Sequence, residues 1–152
     1  MKILNARIPN YDGLQQIAIE AKGTIAEITA IADAAPDNAD LDAAGLWISP
    51  GGIDLQINGA LGLAFTELTS QHLHLLAQIC QFLWDCGIDG FLPTLVTTSI
   101  DNIQRSLGVF ADFISRSDST TLTQPQAAIL GIHLEGPCLN PQKRGAHPAQ
   151  YL

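Results

Sequence analysis

Positive charge is what this chain has least of. Seven Lys and Arg stand against fifteen Asp and Glu in 152 residues, a net charge of −8, and the pI is near 4.6. There is no basic run, which argues against nucleic acid and anionic membranes as partners. Cysteine is scarce as well. Cys80, Cys86 and Cys138 are odd in number, sit in apolar patterns and have no CxxC spacing. That argues against a disulfide framework and against a zinc site made from these three alone. Buried free thiols in a reducing, cytoplasmic setting are the expectation. No apolar run is long enough to span a bilayer. The opening MKILNARIPN has no signal-peptide hydrophobic region. Charged residues make up only 14% of the chain and hydrophobic residues 47%. Such a composition builds a core, and the length suffices for one ordinary domain.

The order of elements is legible next. Residues 2–31 read as β: KILNARI, LQQIAIEAKG and TIAEITAI are short, rich in Ile and Ala, and separated by turn signals at Tyr11-Asp12-Gly13 and Lys22-Gly23. Residues 32–45 are polar and small, a loop. Leu46–Ile48 is a short strand, and Ser49-Pro50-Gly51 marks a boundary near Pro50. The pattern then changes to strand, helix, strand, helix, strand. The strands are 52–58, 90–97 and 127–136. Pro93 is awkward within the second of them. A first helix, capped by Thr69 or Ser70, carries Leu73, Leu76, Ile79, Cys80, Leu83 and Cys86 at the 3.6-residue period and stops at Gly87. Thr98-x-x-Asp101 resembles a capping box for a second helix with Ile100, Ile103, Leu107, Phe110 and Ile114 on one face. Residues 115–126 read as a surface loop. Alternation of β and α predicts an α/β fold with parallel strands and crossover helices. Three such strands with two helices would leave an apolar face and two edges uncovered, so the chain reads as the front part of a larger protein.

Two strands end in polar pairs. Gln56 and Asn58 are two residues apart and share a face; so are His133 and Glu135 in HLEGP. Glu135 sits at the C-terminal end of its strand, where α/β folds and barrels collect active sites. Its carboxylate could bind a divalent metal or be tied to backbone amides of the following loop, and spacing does not choose between them. If the sheet curls into a barrel, both pairs reach one mouth. Lys143, Arg144 and His147 form the one local cluster of positive character, in NPQKRGAHP. It is either a solvated loop or a contact for an anionic or sugar substrate, with Gly145 allowing close approach. His72-Leu73-His74 is a decoy. On a helix, residues two apart point about 200° from each other, so one metal cannot take both.

The run DAAGLWISPGGIDLQINGALG resembles the barrel entry of the amidohydrolase superfamily. GIHLEGPCLNPQKRGAHP resembles, more narrowly, the N-acetylglucosamine-6-phosphate deacetylases. The resemblance implies a small β-sandwich domain, of which residues 1–50 are part, preceding a (β/α)8 (TIM-type) barrel. Residues 51–152 would supply its first three strands and two helices, leaving the barrel incomplete. It implies hydrolysis of N-acetylglucosamine 6-phosphate to glucosamine 6-phosphate and acetate, in amino-sugar metabolism. Glu135 matches the family's metal-binding glutamate, and Ala146 and His147 match positions that contact the sugar. Where most amidohydrolases carry His-x-His, this chain has Gln56-Ile57-Asn58. Neutral amides are weak ligands, so one divalent ion is expected, Zn²⁺ foremost, with Gln56, Asn58 and His133 near it. That ion would polarise the acetyl carbonyl and lower the pKa of bound water toward ~7. The general base would be an Asp late in the barrel, and two further ligands would be histidines on later strands; neither lies within residues 1–152. The chain alone is therefore expected to be inactive, a fragment or one product of a truncated or split gene. The complete protein is expected to be a homodimer. Two other readings compete: an amidohydrolase acting on a cyclic amide or an amine, and a non-catalytic truncated remnant.

Overall fold

The β-rich runs at the start pair into one sheet. The computed structural model describes residues 1–31, 39–119 and 125–152. Strand β1 (Lys2–Ala6) pairs antiparallel with β2 (Gln15–Ile19), and β2 with β3 (Ile25–Ala30). A two-residue strand, β4 (Leu41–Asp42), adds in parallel to the other side of β1, giving the order β3-β2-β1-β4. This corrects the expectation of a loop over 32–45, of which 32–38 lie outside the described residues. Two residues carry no readable period; what makes them a strand is the backbone of β1 beside them. Conversely, the strand expected at Leu46–Ile48 reduces to one bridge between Arg7 and Trp47. Ile3, Ala6, Ile17 and Ala43 form the small apolar core of this unit. The chain divides into two compact units, Met1–Pro50 and Gly51–Leu152.

The second unit begins with β5 (Gly52–Ile57), then a short hairpin of β6 (Gly59–Ala60) and β7 (Leu63–Ala64). Helix α1 (Leu73–Asp85) buries Leu76, Ile79, Cys80 and Leu83, the stripe the 3.6-residue period predicts. Gly87, at φ +81°, takes the left-handed conformation after the helix. Strand β8 (Ile88–Val96), helix α2 (Ile100–Ser119), β9 (Ala128–Ile129) and β10 (His133–Glu135) complete the unit. Strands β5, β8 and β10 are parallel, in the order β10-β8-β5, and β9 lies alongside β8. The core closes around three rings. Phe65 stacks with Phe91 at 6.4 Å between centroids and meets Phe110 edge-on at 5.5 Å.

Several local expectations need correction. Thr69 does cap the entry to the first helix, but through a single 3₁₀ turn, with His72 as the reciprocal partner: the Thr69 N–H donates to His72 Nδ1 at 3.2 Å. His72 therefore has a capping task, and His74 Nδ1 contacts the Gln71 carbonyl at 3.1 Å. The cap of α2 is Ser99, one residue later than expected: its Oγ accepts from the Asn102 N–H at 3.2 Å. α2 also runs on to Ser119, through the front of the expected loop, because no Gly or Pro interrupts that stretch. The third strand is broken between β9 and β10 at Leu130-Gly131-Ile132, where Gly131 has no side chain to pack.

Pro93 does lie inside the central strand, fully buried. The ladder accommodates it. Between Asp54↔Phe91 and Ile57↔Pro93, β5 carries one residue more than β8, a bulge. Within it the Gln56 N–H donates to its own strand's Asp54 Oδ1 at 3.0 Å. The irregularity thus falls opposite the residue that has no N–H to offer.

The thiols also differ from expectation, since only Cys80 is buried while Cys86 and Cys138 are exposed. Cys86 lies at the end of α1, and Cys138 in the loop after β10. Burial pushes the Cys80 thiol up to about 12, so it stays neutral where free thiols ionise. Alkylation of the native chain at mildly alkaline pH should label two thiols quickly and the third only on unfolding. Three equal rates, read by mass spectrometry, would contradict this packing.

Candidate functional site

The parallel register aligns His133 with Thr94 and Glu135 with Val96 across β8 and β10. Two residues apart, His133 and Glu135 project to the same side. His133 stays low on the strand: its Nδ1 lies 3.1 Å from the hydroxyl of fully buried Thr94. Glu135, at the strand's end, gathers partners from three segments. Its Oε2 accepts from Gln56 Nε2 at 2.9 Å, spanning from β10 to β5. Its Oε1 lies 3.4 Å from His147 Nε2. Its backbone carbonyl accepts from the Thr97 hydroxyl at 3.1 Å. The same hydroxyl is 2.8 Å from His147 Nδ1.

These groups border a cavity of ≈ 230 Å³, with Asn58, Thr97, Glu135, Ala146 and His147 among its lining. Four of the residues singled out in the sequence thus share one cavity: Asn58, Glu135, Ala146 and His147. Gln56 is one hydrogen bond away, and His133 is not part of the lining. The side chains of His147 and Glu135 keep 20% and 35% of their exposure. A partly exposed pair at 3.4 Å adds little to stability; its meaning is the convergence of an imidazole and a carboxylate on an opening. Arg144 is not aimed there. It donates to the His147 carbonyl, so it holds the loop, and the positive cluster expected around Lys143 and Arg144 does not act as one unit.

Thr97 was missed by sequence reasoning, which looked for amides, imidazoles and carboxylates at strand ends. The available signal was position: Thr97 directly follows β8, as Asn58 directly follows β5.

Among the described residues, no three His, Cys, Asp or Glu side chains come together to hold a metal ion. Glu135 and His147 make a pair, and a catalytic zinc takes about three protein ligands. The donors among the described residues do not by themselves fit a metal.

No family model matches the chain. It is 35% identical over 111 residues to the N-acetylglucosamine-6-phosphate deacetylase of Mus musculus, covering 73% of this chain and 25% of that protein. To the protein of the same name from Haemophilus influenzae it is 29% identical over 143 residues, 93% of this chain and 35% of that one. The chain thus spans about a quarter to a third of the length of the curated relatives it matches. Among solved structures, N-acetylglucosamine-6-phosphate deacetylase from Thermotoga maritima aligns with a TM-score of 0.69 and 26% identity, over 99% of this chain and 36% of that one. A Mycobacterium smegmatis variant in complex with N-acetyl-D-glucosamine-6-phosphate aligns at TM-score 0.71 and 22% identity, over 99% and 36%; at that identity the likeness is one of fold.

Proposed function

We infer, from the likeness of this chain to an N-terminal part of the N-acetylglucosamine-6-phosphate deacetylases, that it is the N-terminal segment of such an enzyme. The reaction is hydrolysis of a linear amide, taking N-acetylglucosamine 6-phosphate to glucosamine 6-phosphate and acetate. The observation that carries this is the meeting of Glu135 from HLEGP with Ala146 and His147 from GAHP at one cavity. Segments that the resemblance ties to metal and sugar lie together at the end of a parallel strand, where such folds do their chemistry.

In this reading residues 1–50 are part of the small β-sandwich, and residues 51–152 are the first three strands and two helices of a (β/α)8 barrel. Parallel β5, β8 and β10 with α1 and α2 between them support that. So do exposed apolar side chains on and beside these strands: Ile53 (52%), Leu55 (64%), Leu130 (55%) and Leu134 (48%). A closed barrel would cover such residues.

Each site residue has a separate task. Glu135 is one ligand of a single divalent ion, Zn²⁺ foremost, which when bound supplies Lewis acidity for amide hydrolysis. Gln56 and Asn58 keep hydrogen-bonding groups near the carboxylate where a second ion would need imidazoles. Gln56 holds Glu135 in place from β5. Ala146 and His147 bound the sugar, and His133, tied to Thr94, supports β10 from beneath. The remaining ligands and the aspartate acting as base come from outside residues 1–152. The working form is a cytoplasmic homodimer.

Acetate release from N-acetylglucosamine 6-phosphate tests the proposal. The 152-residue chain alone should bind Zn²⁺ weakly and release none. Joined to the strands its relatives carry beyond this region, or mixed with them as a second chain, it should release acetate in a metal-dependent way. Hydrolysis of a cyclic amide and not of the sugar phosphate would move the chain to another amidohydrolase activity. No hydrolysis of either by the completed protein would mark it as a non-catalytic remnant.

A further inference from the structure

We propose that Arg105 is a positioning residue: reaching out from α2, it braces the loop after β5 against the loop after β8, and so sets where Asn58 and Thr97 stand at the cavity. A guanidinium has donors only, held in a rigid fork. Here Nε donates to the Leu68 carbonyl at 3.1 Å and Nη2 to the Thr66 carbonyl at 3.0 Å. These carbonyls belong to the 3₁₀ turn Phe65–Glu67 and the residue that ends it. Leu68 is fully buried, so water does not readily replace the guanidinium at its carbonyl.

That turn is tied directly to the cavity. The Phe65 N–H donates to the Asn58 carbonyl at 2.9 Å, across the base of the β6–β7 hairpin, and Asn58 lines the cavity. The other arm of the brace runs to the second loop. Arg105 Nη1 donates to Asn102 Oδ1 at 2.7 Å. Because the guanidinium cannot accept, the amide presents its oxygen there. Its Nδ2 is thereby turned to the Thr98 hydroxyl, to which it donates at 3.0 Å. Thr98 directly follows Thr97, whose own hydroxyl holds the Glu135 carbonyl.

Apolar packing alone would not give this placement. Phe65 is anchored in the core by its ring contacts with Phe91 and Phe110, which sets the depth of the first loop. Such burial is non-directional; the three hydrogen bonds of one guanidinium supply the lateral register. A displacement of about 1 Å far from the chemistry can cost on the order of 100-fold in an enzyme. The effect on substrate rests on the deacetylase reading given above; the brace itself does not.

The brace is read first without substrate, by hydrogen exchange and amide resonances of the 152-residue chain. The Arg105 Nε–H should be protected in the unaltered chain. Arg105→Gln should speed exchange of the Phe65 amide about 10-fold and move the Asn58 and Thr97 amide resonances together, while the amides of β1 and β2 keep their rates. Arg105→Lys should behave like Arg105→Gln, because one ammonium does not reproduce the fork; rescue by lysine would reduce the role to charge and overturn the proposal. In the completed protein both variants should raise KM for N-acetylglucosamine 6-phosphate about 5-fold, with kcat and metal content within about twofold, the pattern of lost uniform binding. A kcat that falls with the folded fraction at unchanged KM would make Arg105 a stabiliser only and overturn the proposal. So would an unprotected Nε–H, or an unchanged Phe65 rate in the variants. If the unaltered completed protein hydrolyses nothing, the deacetylase reading fails, and the exchange rates and resonances of the chain still decide on the brace.

Discussion

On the proposed reading, Glu135→Ala in the completed protein should strip the metal ion and the activity together. This effect should be the largest of any single change at the site. Replacing a group that merely supports a metal ligand costs roughly 10–100-fold in affinity or activity, so loss of a ligand should exceed about 100-fold. Folding should hardly respond. The side-chain partners of Glu135 are Gln56 Nε2 and His147 Nε2, and such partly exposed contacts contribute little to stability. Glu135→Gln separates the two roles of the side chain. The amide keeps the size and can still pair with Gln56, yet it is a poor ligand for a divalent ion. Metal content and acetate release should fall in both variants, with melting temperatures close to that of the unaltered protein. A full complement of metal in Glu135→Ala would remove Glu135 from the ligand set.

Gly136→Ala has the largest expected effect on folding. Two penalties coincide there. Gly136 has φ +90°, and an added Cβ would lie 1.9 Å from Thr97 Oγ1. The backbone conformation costs an L-residue about 1–3 kcal/mol. Thr97 cannot simply turn aside, because its hydroxyl serves both the Glu135 carbonyl and His147, and each bond lost costs about 1 kcal/mol. Gly145→Ala is the matching control: it lies in the same loop region with φ +60°, but no atom lies within 4 Å of its Cβ position. Gly145→Ala should lower the melting temperature by a few degrees and Gly136→Ala by ~10 °C or more. Equal losses in the two variants would show that the backbone conformation matters and the Thr97 contact does not.

The distribution of what was legible follows the range of the interactions. The buried stripe of α1, Leu76, Ile79, Cys80 and Leu83, was readable because a helix repeats its environment every 3.6 residues along the chain itself. So were the strands leading to Asn58 and Glu135, and the His72/His74 decoy, for the same local reason. Features that depend on a neighbour in space were not. Strand β4 exists because β1 lies beside it. The bulge in β5 lies opposite Pro93 on another strand. The cap of α2 moved by one residue, from Thr98 to Ser99, because two adjacent hydroxyl residues look alike until the first helical turn is placed.

By itself the sequence determined the residue types available to the site: a carboxylate at the end of one strand, amides at the end of another, and an imidazole in the loop beyond. It also determined the alternation that makes parallel strands with crossover helices. Only the tertiary structure decided which of them meet. Gln56 reaches Glu135 across 79 positions of sequence, and Thr97 reaches His147 across 50. Strand register, one bulge and the room left by a glycine set those contacts. No periodicity within a single segment carries that information, because a hydrogen bond between distant segments is fixed by where the backbone places them.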